Sequence, residues 1–419
     1  MTPGARVAAA IEIVEDIERG ERPADDVVRQ WGRSHRFAGS KDRRAISGQV
    51  YSVLRRRGFY EKAASADPRA LVITDLVLGE GKAPQEVAAL FSGEGHSPSA
   101  LSNDEHELIS TLTNGMQEGL PAYDVPDFLL PGLKEAFGDD LDAALTALDT
   151  PAPLDLRVNT LKTTREDAAS ALAAVGIETT PTPYAPTCLR VSGNHLIAGT
   201  IAFKEGHIEP MDEGSQLAAL MVDAKPGMQV ADLCAGAGGK TLALAAAMQN
   251  KGQIYATDSD ARRLGNLAPR MKRADARNVH PMRWPQDSNF SELNGKCDRV
   301  LLDVPCSGSG SWRRHPELKW RIDEAGIEKL TKTQDALLRT AAPLVKPGGL
   351  LVYITCSVLP VENEERIKLF LEKHSDFQVV TDKLGTAAAN AYGARLSPHL
   401  HATDGFFISR LERISTPAS

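Results

Sequence analysis

From Pro226-Gly227 onward, short apolar runs alternate with stretches of helical spacing, and this alternation restricts the fold more than any other feature of the chain. A strand that hands over to a helix cannot pair with the next strand as a hairpin. It must cross over and lie parallel, which builds a doubly wound sheet covered on both faces. The spacing predicts strands over 229–233, 253–257, 279–282, 299–303 and 350–355 and helices through 240–248, 260–273, 327–344 and 362–373, with a closing strand at 406–411. In such sheets ligands bind beyond the carboxyl ends of the strands.

Two of these strands end in cysteine loops. The run 299–302 leads into Asp303-Val304-Pro305-Cys306-Ser307-Gly308-Ser309-Gly310, and the run entered through Pro347-Gly348-Gly349 closes on Tyr353-Ile354-Thr355-Cys356-Ser357. If the two strands are parallel neighbours, both thiols emerge on the ligand edge. The remaining cysteines, Cys188, Cys234 and Cys297, bring the total to five, with no C-x-x-C pair. That odd, dispersed set argues against a disulfide framework and a structural zinc site, so free thiols are expected.

The first strand of the alternating region ends in Asp232-Leu233-Cys234-Ala235-Gly236-Ala237-Gly238-Gly239-Lys240-Thr241. Glycines there let the backbone approach a ligand, and the following helix offers free N–H groups to negative charge. The stretch is no phosphate-binding P-loop, because Cys234 stands where the required first glycine would be. A dinucleotide fingerprint fits poorly too, with Thr241 at the third glycine position. What remains is the looser loop of enzymes that use S-adenosylmethionine (SAM). Asp258, at the end of the second strand, would then accept from the ribose hydroxyls, and Asp287, after the third, from the adenine amino group.

The chain is long enough, at 419 residues, for three domains. Val7, Ala10, Ile11, Val14 and Ile17 recur at helical spacing, and a basic stretch with Arg29, Arg33, Arg36, Lys41, Arg43, Arg44 and Arg55 to Arg57 follows, interleaved with Trp31, Phe37 and Tyr51. Such a face is either a solvated surface or a contact for phosphates. Helical patterns run to Leu148, and Pro151 and Pro153 mark a boundary. A half-buried strand at 154–158, a helix at 164–175 and strand candidates near Ile177, Cys188 to Val191 and Ile201 to Phe203 suit a small ferredoxin-like unit. The expected division is therefore an all-helical domain over 1–150, a ferredoxin-like (RRM-like) unit over 151–210 and a Rossmann-like domain over 211–419. With a net charge of −7, no apolar run of membrane-spanning length and no signal-peptide pattern, a soluble, cytosolic protein is expected, monomeric, with no membrane or metal partner.

Two thiols beside a SAM-type loop suit one reaction in particular. Cytosine carbon-5 is a poor nucleophile, and a thiolate adding to carbon-6 makes it reactive toward a methyl sulfonium. Asp303, if its carboxyl group were protonated or shared a proton at ring nitrogen-3, would stabilise charge developing there, and Lys240 or the sulfonium would favour the thiolate of a group whose ordinary pKa is about 8.5. The residues themselves leave open which cysteine attacks.

At these motifs the chain resembles the Nop/Sun, or RsmB-like, RNA cytosine-5 methyltransferases. The resemblance rests on the 232–241 loop, the Cys306 and Cys356 motifs, Trp312-Arg-Arg-His-Pro-Glu-Leu-Lys-Trp320, Glu362-Asn-Glu364 and Asp404-Gly-Phe-Phe407. Upstream it adds Leu156-Arg-Val-Asn-Thr-Leu-Lys162 and Asp212-Glu-Gly-Ser-Gln216. It implies that Cys356 is the nucleophile, that Cys306 assists product release, and that residues 234–240 with Asp258, Asp287 and Asp303 line the SAM pocket. The opposite assignment of the thiols, as in cytosine-5 DNA methyltransferases, is the alternative. The chain departs from the family at Gly236-Ala237, where Ala-Pro is usual and a looser loop is expected, and at Met211, where glutamine is usual. A weaker resemblance of the N-terminal region to NusB-like domains, through Asp42-Arg43 and 50–55, implies small-subunit ribosomal RNA as substrate. Arg313, Arg314 and Lys319, following the Cys306 loop, are expected to grip its phosphates. Competing readings are transfer RNA as substrate and a noncatalytic RNA-binding assembly factor.

Overall fold

The computed structural model describes residues 1–20, 22–115, 121–283, 290–381 and 388–414. They divide into two compact units, one of residues 1–130 with 314–322, the other of 131–313 with 323–419.

The first unit is helical. Its opening helix, Pro3–Arg19, is capped by the Thr2 side chain and buries Val7, Ala10, Ile13, Val14 and Ile17. These pack with Val50, Val53 and Leu54 of the helix Ser40–Arg55 and with Leu71 to Ile73, the apolar stripe that sequence spacing required. Residues 314–322, which follow the cysteine loop in sequence, belong to this unit and satisfy its helix ends. Glu317 accepts from the backbone N–H of Ala24, first residue of the helix Ala24–Ser34. Lys319 and Trp320 donate to the last-turn carbonyls of Arg55 and Leu54, and Arg321 donates to Ile17 and Arg22. Orphan groups at three helix termini thus find partners far away in sequence.

The second unit holds both sheets, and residues 131–150 pack within it. The smaller sheet contains β1 (Leu154–Val158), β2 (Thr179–Pro181), β3 (Cys188–Val191) and β4 (Ile208–Pro210) in the order β2-β3-β1-β4, with every pairing antiparallel. With the helix Arg165–Ala173 after β1, this is the ferredoxin-like arrangement. One expected strand is wrong: residues 201–204 form a short helix capped by Thr200, and the fourth strand comes after Gly206. Apolar residues at 201 and 203 mimicked strand alternation over too short a stretch to separate the two periods.

The larger sheet takes β5 (Gln229–Asp232), β6 (Gln253–Asp258), β7 (Val279–Arg283), β8 (Cys297–Asp303), β9 (Val345–Thr355), β10 (Phe377–Val379), β11 (Ala388–Ala389), β12 (Ala394–Leu396) and β13 (Phe406–Arg413). Strands β7-β6-β5-β8-β9 are parallel, and β13 joins antiparallel to β9. The order reverses between β5 and β8, which makes their carboxyl ends the ligand edge. Val300, Leu301, Leu302 and Leu351 to Ile354 are buried at 0% exposure on both faces of the sheet, as continuous apolar strands of a doubly covered sheet should be. The expected single helix over 260–273 is two pieces, Ala261–Gly265 and Leu267–Ala274. Pro269 near the start of the second piece accounts for the break.

Candidate active site

Strands β8 and β9 pair in parallel with Asp303 opposite Ile354, so the two cysteine loops leave the sheet side by side. Cys306 Sγ and Cys356 Sγ are 3.4 Å apart. The hydrogen bond to Cys356, burial and the negative charge of Glu362 push the Cys306 thiol well above its ordinary pKa. Either sulfur can be the donor in that contact. Cys234 is also pushed well up, by burial and by Asp232, Asp303 and Asp258. Burial raises Cys188 to about 12 and Cys297 to about 11; both act as small apolar residues in sheet interiors.

A close backbone approach sets the Cys306 loop against the start of β13. Gly310 donates its N–H to the carbonyl of Cys356, and Gly405 donates to the carbonyl of Gly310. A Cβ on Gly310 would lie 2.2 Å from the Gly405 oxygen. The glycines of the Cys306 motif and of Asp404-Gly-Phe-Phe407 thus permit one shared contact, which fixes Phe406 beside the site.

One buried carboxylate fastens both loops, a role that sequence reading missed. Glu362, 0% exposed, accepts at Oε1 from the Ser307 N–H (2.9 Å) and Gln334 Nε2 (3.0 Å). At Oε2 it accepts from Ser307 Oγ and Ser357 Oγ, each at 2.5 Å. Ser307 follows Cys306 and Ser357 follows Cys356. Asn363 adds a second tie, accepting from Thr355 Oγ1 at 2.6 Å and donating to the Ser357 carbonyl at 3.0 Å. The signal available was the residue type: serines after both cysteines and a Glu-Asn pair a few residues on.

The glycine loop is pinned rather than loose. Gly236 has φ +55°, where glycine is the preferred residue, and its N–H donates to Asp258 Oδ2 at 2.7 Å. The carbonyl of Ala237 accepts from Arg270 Nη1 at 2.6 Å, and Ala235 and Gly238 close the turn through backbone bonds. This corrects the expectation that Gly236-Ala237 slackens the loop. At Met211 the main chain makes the hydrogen bonds, to Asp155 and Gln216, so a changed side chain leaves them in place.

Lys240 is the second residue of the helix Gly239–Ala247, and its Nζ sits 2.7 Å from Asp303 Oδ2 and 5.4 Å from the Phe406 ring centre. Its charge is committed to Asp303, which corrects its assignment as the group that turns a thiol into thiolate. Beneath them Asp232 accepts from Thr241 Oγ1 at 2.7 Å. Burial, aided by the charge of Asp303, pushes Asp232 up to about 7. Asp287 lies outside the described residues.

The three cations expected to hold phosphates are placed differently. Arg313 is 6% exposed, donating to the Thr403 carbonyl and 3.4 Å from Asp404. Lys319 is 0% exposed and caps a helix in the first unit. Neither presents its charge to solvent, which corrects the expectation for both. Arg314 is half-buried.

Residues 219–412 match the family described as 16S rRNA methyltransferase RsmB/F, and residues 125–197 match the ferredoxin-like domain of RsmF/B-like methyltransferases. A probable ribosomal RNA small subunit methyltransferase B from Synechocystis sp. is 37% identical over 301 residues, 70% of this chain and 67% of that one. The methyltransferase B of Serratia proteamaculans is 30% identical over 84% of this chain and 80% of its own length. The chain belongs to the RsmB/F family. The solved structure of PH0851 superposes with a TM-score of 0.82 at 29% identity, covering 98% of this chain and 99% of that one.

RsmB/F proteins are SAM-dependent methyltransferases, and the residues here fit that cofactor. A Cβ on Gly239 would meet nothing within 4 Å, so the helix start is open to a ligand. The carboxylate of Asp258 closes the adjacent strand, and a cation and acid stand at Lys240 and Asp303. Among the described residues no group of His, Cys, Asp and Glu has metal-holding geometry, and no helix is long and apolar enough to cross a membrane.

Proposed function

We propose that this RsmB/F protein methylates carbon-5 of cytosine in small-subunit ribosomal RNA through a covalent cysteine–cytosine adduct. The observation that carries the reading is the pair of thiols 3.4 Å apart at the ends of adjacent parallel strands, one strand away from the glycine loop.

In this reading Cys356 Sγ adds to carbon-6, forming the carbon–sulfur bond and moving the ring electrons toward carbon-5 and nitrogen-3. Asp303, with Lys240 beside it, stabilises the charge arriving at the nitrogen-3 edge by sharing a proton between its carboxyl group and the ring nitrogen. Bound SAM supplies an electrophilic methyl group, which the loop 234–240 with Asp258, Asp287 and Asp303 directs toward carbon-5. Loss of the carbon-5 proton to a base then breaks the carbon–sulfur bond, restores the ring double bond and returns Cys356. Cys306, in contact with the departing sulfur, assists that expulsion. With the hydrogen bond to Cys356, burial and Glu362 push the Cys306 thiol up, which supports this division of labour over the reverse, because a thiolate is disfavoured at Cys306.

The helical domain assigned to 1–150 would grip the RNA, the unit over 151–210 would support it, and 211–419 would perform the chemistry. Arg33, Arg36, Lys41 and Arg44 are exposed on the helical unit beside Phe37, which is 72% exposed. A cationic surface with an accessible aromatic ring suits phosphates and an unstacked base.

Trapping tests the mechanism. Cys306→Ala incubated with SAM and substrate RNA should accumulate enzyme–RNA complexes stable in denaturing gels, and Cys356→Ala should form none. Full turnover by Cys356→Ala would overturn the assignment.

A further inference from the structure

Glu362 brings two facts together. It is fully buried, and among the described residues neither oxygen meets a cation, since its four donors there are a backbone N–H, the Gln334 amide and two serine hydroxyls. Four donors converging on two oxygens is the arrangement of a carboxylate. Its charge therefore stays uncompensated beside the thiols, in surroundings where electrostatic effects are strong.

We infer that Glu362 is a positioning residue for the two-thiol reaction: it clamps the residue after each cysteine to one carboxylate, and its negative charge disfavours a thiolate at Cys306. The clamp is symmetric in construction, Oε2 taking one hydroxyl from each loop. Ser309 completes it, bonded to Ser357 Oγ at 3.0 Å and accepting from the Val358 N–H at 3.0 Å. Moving Glu362 would change the separation of the sulfurs, and neutralising it would remove the field that opposes a Cys306 thiolate.

Other charged groups near the pair are spoken for. Arg366, on the helix Glu364–Lys373, bonds Asp335 at 3.0 Å and lies 3.4 Å from Glu365. Asp335 belongs to the helix Glu324–Ala341. Lys240 is paired with Asp303. Tyr353, below the loops, donates to the Glu362 carbonyl at 2.6 Å, and its own hydroxyl is pushed up by burial and by Glu362 and Cys306. It remains neutral at working pH, so among the described residues Glu362 is the anion that faces Cys306 together with whatever charge Cys356 carries.

The inference rests on the proposed roles of the cysteines, but its test uses thiol chemistry and needs neither RNA nor SAM. The intact protein is alkylated with iodoacetamide across a pH series, and modification of Cys306 and Cys356 is followed separately by peptide mass spectrometry. Glu362→Gln should lower the Cys306 midpoint by about one pH unit, roughly tenfold more thiolate at a given pH on the acid side. Glu362→Asp keeps the charge and shortens the clamp, so it should leave the midpoint near the parent's while cutting kcat for methyl transfer. An unchanged midpoint in folded Glu362→Gln would overturn the inference. Should that variant unfold, Cys356→Ser gives the second measurement. With the neighbouring thiol gone and Glu362 present, Cys306 should still titrate above the ordinary value of about 8.5, and a return to that value would assign the effect to Cys356 alone. Transfer by Cys356→Ala, in contrast, would sink the cysteine mechanism and leave the Glu362 result untouched.

Discussion

Replacing Gly310 by alanine tests whether the meeting of the Cys306 loop with the start of β13 sets the active geometry. The added Cβ would sit 2.2 Å from the Gly405 oxygen and 2.7 Å from its Cα and carbonyl carbon. A carbon–oxygen contact relaxes at roughly 3.3 Å, so the two backbones must part by about 1 Å. No flexible side chain can absorb the strain, because both partners are main chain tied by the Gly405-to-Gly310 and Gly310-to-Cys356 hydrogen bonds. Parting them shifts Cys306, Cys356 or Phe406 by a similar amount. Misplacement of that size costs on the order of 10²-fold in rate, and overpacking costs about 1–3 kcal/mol of stability. Single-turnover methyl transfer at saturating RNA, with a thermal melt alongside, separates the two effects. The expected result is a Tm a few degrees lower with kcat depressed far more than the melt explains at the assay temperature. Parent-level transfer and an unshifted Tm in Gly310→Ala would refute the close-approach argument.

Arg190→Ala should cost about 3–5 kcal/mol, measured by denaturant unfolding, because Asp155 is 1% exposed and would lose a bidentate partner at 2.7 and 2.8 Å. Lys319→Ala should lower Tm through the lost helix cap while leaving the salt dependence of RNA binding unchanged. Arg36→Ala should leave Tm unchanged and reduce the slope of log K against log salt by roughly 0.7–0.9 if that arginine meets one phosphate. Thr241→Val should cut cofactor affinity, read by calorimetry with SAM, because Asp232 would lose its hydroxyl donor beneath the Lys240–Asp303 pair.

The larger sheet was legible because its strands are continuous apolar runs closed by glycine, proline and acidic punctuation, and because β8 and β9 each lead into a cysteine loop. The alternation called for parallel strands, but that these two are neighbours was only a condition until the pairing itself was seen. Lys319 shows what local reading could not see. A lysine after a cysteine loop looks like a phosphate ligand, yet its partner is the carbonyl of Arg55, a terminal group that only folding brings within reach. Glu362 was hidden for a related reason, since its worth lies in where four donors converge and not in sequence spacing. Gly236 looked like a weakness in the loop, although its positive φ lets the N–H reach Asp258. The order of attack between the thiols was not readable from spacing; it becomes arguable once their contact and the nearby carboxylate are known.

The central claim is the chemistry of methyl transfer, and nucleoside analysis reaches it most directly. The purified protein is incubated with methyl-labelled SAM and unmodified small-subunit ribosomal RNA, the RNA is digested, and the labelled nucleoside is identified. The account predicts label in 5-methylcytidine, lost in Cys356→Ala. Label in any other nucleoside, or transfer to cytidine that survives Cys356→Ala, would contradict it.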